Sequence, residues 1–397
     1  MAAFVAATMA TGCSDDDPKS SKTFAEATRT EANGLNLTVG GATMPGMTVE
    51  FAPAANASEG TLKVYSRFDL AAIPGAPEAL KQSIAGPGAI PGTPELTIPV
   101  TIELDQAGTT GSFQGSGATE YASYNYSGTI TDNAINLAFS DVRLKNVSLA
   151  GRYALEGFTM DEDWESDTYG TIFTNPIYVN WQSGASLDFL GTPMTPEELC
   201  KLLFTMPLLD DMNTTVPNYL TTLLKDVTFG QDGNITANYL DLDADNESVR
   251  NYITSPVNMA QYVVASDKQM LFFLNPAAVV ADASRAVGPV DMNNVLGNVL
   301  GQLAPMMTNG VPMQYRKSAD GKMSVYLATE TLLPLLKQNV LPLLRNEAVV
   351  NQLVEMVGQT DMGAFIAPLL PGMIASAADV IEQTTVLEIG LNLTAQN

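Results

Sequence analysis

The residues able to do chemistry are few in kind. The sequence holds no histidine, two cysteines (Cys13 and Cys200), and 43 carboxylates against 19 cations, for a net charge of −24 over 397 residues. Without imidazole, Ser-His-Asp triads, Cys-His dyads and His-based metal sites are excluded. Two thiols far apart in sequence build neither a thiolate cluster nor a C-x-x-C redox pair. No G-x-S-x-G elbow, S-x-x-K pair, P-loop or G-x-G-x-x-G appears. Carboxylate pairs remain as a general acid–base device, as in glycoside hydrolysis, but that chemistry depends on spatial separation and nothing in the sequence singles out two of them. Asp241, Asp243 and Asp245 stand at alternate positions in a run that ends Asn246-Glu247, a spacing able to wrap calcium. The twelve-residue calcium loop wants Gly at its sixth position and Glu at its twelfth, where Asn246 and Tyr252 stand. Calcium is thus the one cofactor the sequence offers, and a solvated acidic turn is the competing reading.

Other groups carry weaker signals. Asp161, Glu162, Asp163, Glu165 and Asp167 crowd around Trp164 and read as a solvated linker. Tyr121, Tyr124, Tyr126, Tyr178 and Trp181 offer rigid faces for sugar stacking; Tyr124 and Tyr126, two residues apart, equally suit sheet packing. Met306, Met307, Met356, Met362 and Met373 suit an adaptable apolar pocket or ordinary core filling. The acidic surface repels phosphate backbones, which argues against nucleic acid as a partner.

The start of the chain points to a membrane. Residues 2–11 form a short uncharged apolar run ending in Ala10-Thr11-Gly12-Cys13, which resembles the lipobox of bacterial lipoprotein signal peptides. The resemblance implies cleavage before Cys13 and lipidation of its thiol, leaving Cys13 as the first mature residue and 1–12 as the signal peptide. No Lys or Arg precedes the apolar run, so the export signal is read as cut short at its start. Several acyl chains at ~0.8 kcal/mol per buried methylene anchor a protein firmly. Residues 13–34 read as a flexible acidic tether. Its Ser14-Asp15-Asp16-Asp17 resembles the surface-export signal of lipoproteins in Bacteroidota, implying an outer-membrane protein facing the cell exterior, or else the periplasm.

The body must then present whatever site exists. Over 35–160, alternation and β-branched or aromatic content predict strands at 35–39, 47–51, 61–68, 96–104, 121–130, 135–139 and 147–155. Such a run implies an antiparallel barrel or sandwich. Residues 73–94 read as a long loop with a short helix near 79–84. After a linker at 161–180, residues 181–397 read as an α+β domain of hairpins and apolar helices. Helices are expected at 195–204, with Thr195 as N-cap and Pro196 opening the first turn, at 216–225, at 292–307 and in pieces over 332–378, each starting at a proline. Hairpins are expected to turn at Asp232-Gly233, Ser266-Asp267-Lys268 and Asp320-Gly321, and a last strand at 386–393. The uncharged stretch 362–378 falls short of a membrane span and reads as core helix.

Segments such as GTLKVYSRF, YSGTITDNAINLAF and DGNITANYLDLD, with the lipobox and tether, make the chain similar to Bacteroidota surface lipoproteins with a calycin-like β-barrel, chiefly over residues 13–160. The resemblance implies a location and a barrel and carries no active-site residues. Three functions fit: non-catalytic capture of a small glycan-derived or apolar ligand at the barrel mouth or domain junction, a carboxylate-based enzyme such as a glycoside hydrolase, or a structural component of a surface complex.

Overall fold

Strict alternation builds the first half of the chain. The computed structural model describes residues 23–56, 58–69, 83–189, 191–207, 214–241, 250–283, 309–358 and 367–396. In β7 (Glu95–Thr101) every second side chain is buried, Leu96, Ile98 and Val100, and in β4 (Met47–Pro53) Met47, Val49 and Phe51 are buried, giving each strand one apolar face. β4 pairs with β1 (Ala27–Thr30) and β5 (Glu59–Asp69); β5 pairs in turn with β7 and, at its far end, with β6 (Ser83–Ala85). A second sheet runs β3 (Ala42–Thr43), β2 (Leu35–Val39), β11 (Ile135–Leu144), β10 (Ala122–Ile130), β9 (Gly111–Ala118), β8 (Glu103–Leu104), with β2 and β11 parallel. The two apolar faces share one buried layer, and the Tyr126 hydroxyl donates to the Pro99 carbonyl of the other sheet at 3.0 Å.

β9 is absent from the sequence expectation because its apolar content is replaced by glycine. Gly117 and Gly115 face Tyr124 and Tyr126 of β10, and Cβ atoms there would lie 2.4 and 2.5 Å from the phenolic oxygens. The rings lie across the bare backbone, so the glycines lend the tyrosines room to be buried.

The second half closes on itself. β12 (Gly151–Leu155), β18 (Leu224–Phe229), β19 (Asn234–Leu240), β21 (Ala260–Ser266), β22 (Gln269–Leu274), β23 (Val311–Lys317), β24 (Lys322–Leu327) and β25 (Thr384–Ala395) are antiparallel neighbours, and β25 returns to β12 through Tyr153↔Ala395 and Leu155↔Leu393. The result is an eight-stranded antiparallel barrel. Its three hairpins turn where the sequence places them, with Gly233 (φ 87°) and Gly321 (φ 83°) in the left-handed region that glycine tolerates. Large side chains fill the interior: Phe229 meets Tyr153 and Tyr262 edge to face at 5.8 and 5.1 Å, and Tyr315, Met323, Val325 and Leu393 join the same core. β15 (Ile177–Ser183) lies along β25 and β20 (Tyr252–Thr254) along β19. Two small hairpins flank the ring, β13 (Thr159–Met160) with β14 (Ile172–Thr174) and β16 (Leu187–Phe189) with β17 (Thr192–Met194).

Helices attach where caps and prolines allow. α1 (Pro196–Thr205) starts with the expected cap, Thr195 accepting from the Glu198 N–H while Glu198 reaches back. α2 (Val216–Leu223) leads into β18, and α3 (Pro276–Ala283) follows β22. α4 (Thr329–Leu335), a π turn (Leu336–Val340), α5 (Leu341–Leu344), α6 (Glu347–Gly358) and α7 (Leu370–Glu382) fill the span before β25. Pro342 and Pro371 open their helices, but Pro334 sits inside α4. Proline there removes an i→i−4 hydrogen bond, and the π turn follows directly. No helix among the described residues is long and apolar enough to cross a membrane.

The two halves are stitched together at polar points. Asn258, fully buried with φ 64°, donates to the carbonyls of Val39 (3.2 Å) and Ala42 (3.3 Å), and Asn275 donates to that of Pro45 (3.2 Å). The outward Val263 of β21 is buried against the segment carrying Gly92, where a Cβ would lie 3.0 Å from it.

Five expectations are corrected. The closed barrel spans residues 151–395, and the N-terminal region forms the two-sheet alternative. The predicted strand 147–155 contributes β12 to that barrel, across the expected boundary at 160. The expected linker 161–180 holds β14 and part of β15, and the expected tether 13–34 ends early, since Phe24 is buried in the core and β1 is paired. Of the short helix expected near 79–84, residues 79–82 lie outside the described residues, and Ser83–Ala85 is strand. The expected helix at 292–307 lies outside the described residues.

Candidate functional site

The outer face of the barrel at β23, β24 and β25 carries a polar array. Register puts Arg316, Ser324 and Asn392 side by side, and Tyr326, Gly390 and Tyr178 in the next row. Gly390 has no room for a Cβ, which would meet the Val325 carbonyl at 2.0 Å and the Tyr326 Cβ at 2.5 Å. Across it the rings of Tyr178 and Tyr326 approach to 4.7 Å, and the Arg316 guanidinium lies 5.9 and 5.0 Å from their respective centroids. Glu388 accepts from the Tyr178 hydroxyl at 2.7 Å and the Asn180 amide at 3.1 Å, with the Arg316 guanidinium at 3.7 Å. Burial, then the hydrogen bond to Glu388, pushes the Tyr178 hydroxyl up to about 12, so it acts as a neutral donor.

Beside this cluster opens a groove of about 300 Å3, at the lower end of the ~300–1,000 Å3 usual for ligand pockets. Its floor is polar and held in place. Ser324 Oγ donates to Asn392 Oδ1 at 2.6 Å, and Asn392 Nδ2 donates to the Asn175 carbonyl at 2.9 Å. Phe173 of β14, 62% exposed, forms an aromatic wall. The Lys322–Glu156 ion pair at 2.6 Å marks one side, and Arg316 and Lys317 line the rest. Lys317 Nζ bonds the Ser148 carbonyl at 3.2 Å and the Tyr153 hydroxyl at 3.3 Å.

A larger concavity of about 590 Å3 lies among α5, α6 and α7, with Leu344, Val350, Pro371 and Ile374 in its walls and Arg345, Glu347 and Asp379 at its margin. Arg345 bonds Asp379 and Glu382 there.

The residues singled out by sequence are scattered over the molecule. Cys13 and Ser14, Asp15, Asp16 and Asp17 lie outside the described residues, as do Asp243 and Asp245. Asp241 follows β19; its N–H donates to the Asn251 carbonyl at 2.9 Å and its carboxylate accepts from the Asn251 amide at 3.4 Å. Among the described residues no three Asp, Glu or Cys side chains converge as a metal site. Asp161 and Asp163 bond within the turn of the β13–β14 hairpin: Asp161 accepts from the Thr168 hydroxyl at 2.6 Å, which chiefly holds its carboxyl low, and leaves Trp164 77% exposed at the tip. Tyr124 and Tyr126 are core residues, so the five aromatics form no common platform; Trp181 donates to Thr384 at 2.9 Å. Met306, Met307 and Met362 lie outside the described residues, and Met373 is not a wall of the helical groove. Cys200 is half-buried on α1, and burial followed by Glu197 pushes its thiol up, which makes it a poor nucleophile.

Of the groove residues, sequence reading placed none. The one legible signal was three cations, Arg316, Lys317 and Lys322, clustered at a hairpin in a strongly acidic chain. Comparison with family models, curated proteins and solved structures finds no match to this chain.

Proposed function

We propose that this protein is a non-catalytic, lipid-anchored lipoprotein of the Bacteroidota surface type that captures a small glycan-derived ligand in the groove beside β24. The observation that carries the reading is the combination of a fixed polar floor, Ser324 and Asn392, with an exposed aromatic wall, Phe173. Hydroxyl groups suit the first and the apolar face of a sugar ring the second. The calycin-like reading moves to the second half, whose eight antiparallel strands match the strand number of that barrel class. Tyr153, Phe229 and Tyr262 occupy the space where such barrels hold apolar ligands, which supports a site outside the ring over one inside it. Calcium and a carboxylate-only enzyme gain no supporting geometry from the groove, where Glu156 is held by Lys322.

The capture reading is tested by thermal-shift and calorimetric titration of the protein with neutral and acidic mono- and oligosaccharides. At least one sugar should raise the melting temperature, and Phe173→Ala and Asn392→Ala should each abolish that shift; flat curves for every sugar would sink the reading. Palmitate labelling of cells expressing the parent or Cys13→Ala tests the anchor, and equal labelling of both would end that part of the proposal.

A further inference from the structure

The groove's charge runs against that of the rest of the chain. Three cations, Arg316, Lys317 and Lys322, line it with a single acid, Glu156, in a protein with 43 carboxylates and 19 cations. Glu156 is taken up by Lys322. Lys317 alternates with Arg316 along β23 and is paired with the buried Met323, and its ammonium turns to the Ser148 carbonyl and the Tyr153 hydroxyl at the end of the ring. Arg316 donates to the Tyr178 hydroxyl at 3.3 Å and has Glu388 at 3.7 Å, a carboxylate that already accepts from Tyr178 and Asn180 at shorter range. Its guanidinium is nevertheless held in place by two tyrosine rings, and its side chain is 62% exposed. Of its five N–H donors the Tyr178 hydroxyl takes one, and the planar guanidinium presents the others to an incoming carboxylate.

We infer that the captured ligand is an acidic saccharide of the uronic-acid class, its carboxylate on Arg316 and its hydroxyls on Ser324 and Asn392. This rests on the capture reading and narrows it. Lys322, paired with Glu156, borders the site without being its main anion partner. Phe173 faces the ring of the same sugar unit, so charge and stacking act on one ligand.

The test is calorimetric titration of the whole protein with D-galacturonate, trigalacturonate, D-galactose and inorganic phosphate at low and high salt. Galacturonate should bind about ten-fold or more tightly than galactose, as a charge-assisted contact warrants, and should weaken as salt rises. Arg316→Gln should erase the difference between the two sugars, and Arg316→Lys should restore part of it; both variants should melt like the parent because the side chain is exposed. Equal affinity for galacturonate and galactose overturns the inference while leaving capture standing. Phosphate binding as tightly as galacturonate shows a bare anion site and overturns the saccharide assignment. Silence from every sugar overturns both proposals, and undiminished galacturonate preference in Arg316→Gln overturns the role of the guanidinium.

Discussion

The two halves of the molecule bury their strands differently, and the difference decides what each can carry. In the sandwich, β7 alternates buried and exposed without a break. In the barrel, β21 buries Gln261, Tyr262, Val263 and Val264 in succession. Tyr262 points into the ring, and Val263 points out against the sandwich segment at Gly92. A strand with one wet face announces its orientation by period, whereas a strand covered on both faces does not. The barrel therefore has one outer side buried under the sandwich, and the polar array gathers farther round the ring at β23–β25, where the groove opens.

Removing the ring's central side chain is the strongest way to break this picture. Tyr262 is fully buried, stacks edge to face on Phe229 and donates to the Gly230 carbonyl at 2.9 Å. Tyr262→Ala should cost about 3–5 kcal/mol, the usual range for emptying a large aromatic site, measured by urea unfolding. Because the halves share one core, Trp fluorescence, reporting from Trp164 and Trp181 on the barrel side, should lose signal together with far-UV circular dichroism. Two separate transitions would show that the sandwich stands without the ring.

A smaller change sharpens the joint between them. Asn258→Ala removes donors from the carbonyls of Val39 and Ala42 and places a Cβ residue at φ 64°. The loss should be about 2–3 kcal/mol, from buried carbonyls left unpaired plus the cost of a left-handed alanine. Asn258→Gly loses the same amide without that backbone cost and should recover about 1 kcal/mol of it. Equal melting of the two variants would remove backbone conformation from the account.

Much of the fold was legible residue by residue, and the site was not. Thr195 and Pro196 announce α1, and Asp232-Gly233 and Asp320-Gly321 announce their hairpins, because caps and turns are local. Ring closure depends on Tyr153 finding Ala395, a pairing that no local pattern encodes. β9 was hidden because Gly115 and Gly117 act through partners on another strand. The groove joins Phe173, Arg316, Ser324 and Asn392 from four strands, and each is unremarkable where it stands in the sequence. The aromatic set failed for the opposite reason: Tyr124 and Tyr126 are conspicuous in sequence but spend their faces on glycine backbone.

The smallest expected effect separates Tyr262 inside the barrel from Tyr178 outside it. Burial raises the hydroxyl of Tyr262 far above its usual range, whereas Tyr178 outside is pushed up to about 12, by burial and then by Glu388. A phenol whose pKa is raised by folding supports the folded state fully below its ordinary value of 10.0, and that support is lost as pH rises from there through about 12. Tyrosine ζ-13C resonances, with Tyr178→Phe and Tyr262→Phe for assignment, should show Tyr178 ionising above the ordinary phenol value of 10.0 and before Tyr262. Glu388→Gln removes the charge that disfavours tyrosinate, so Tyr178 should then ionise at lower pH while Tyr262 stays where it was. A Tyr178 that titrates at the ordinary value of 10.0 in the parent would mean that the hydroxyl is not held by Glu388, and the alignment of Arg316 over the two rings would lose its support.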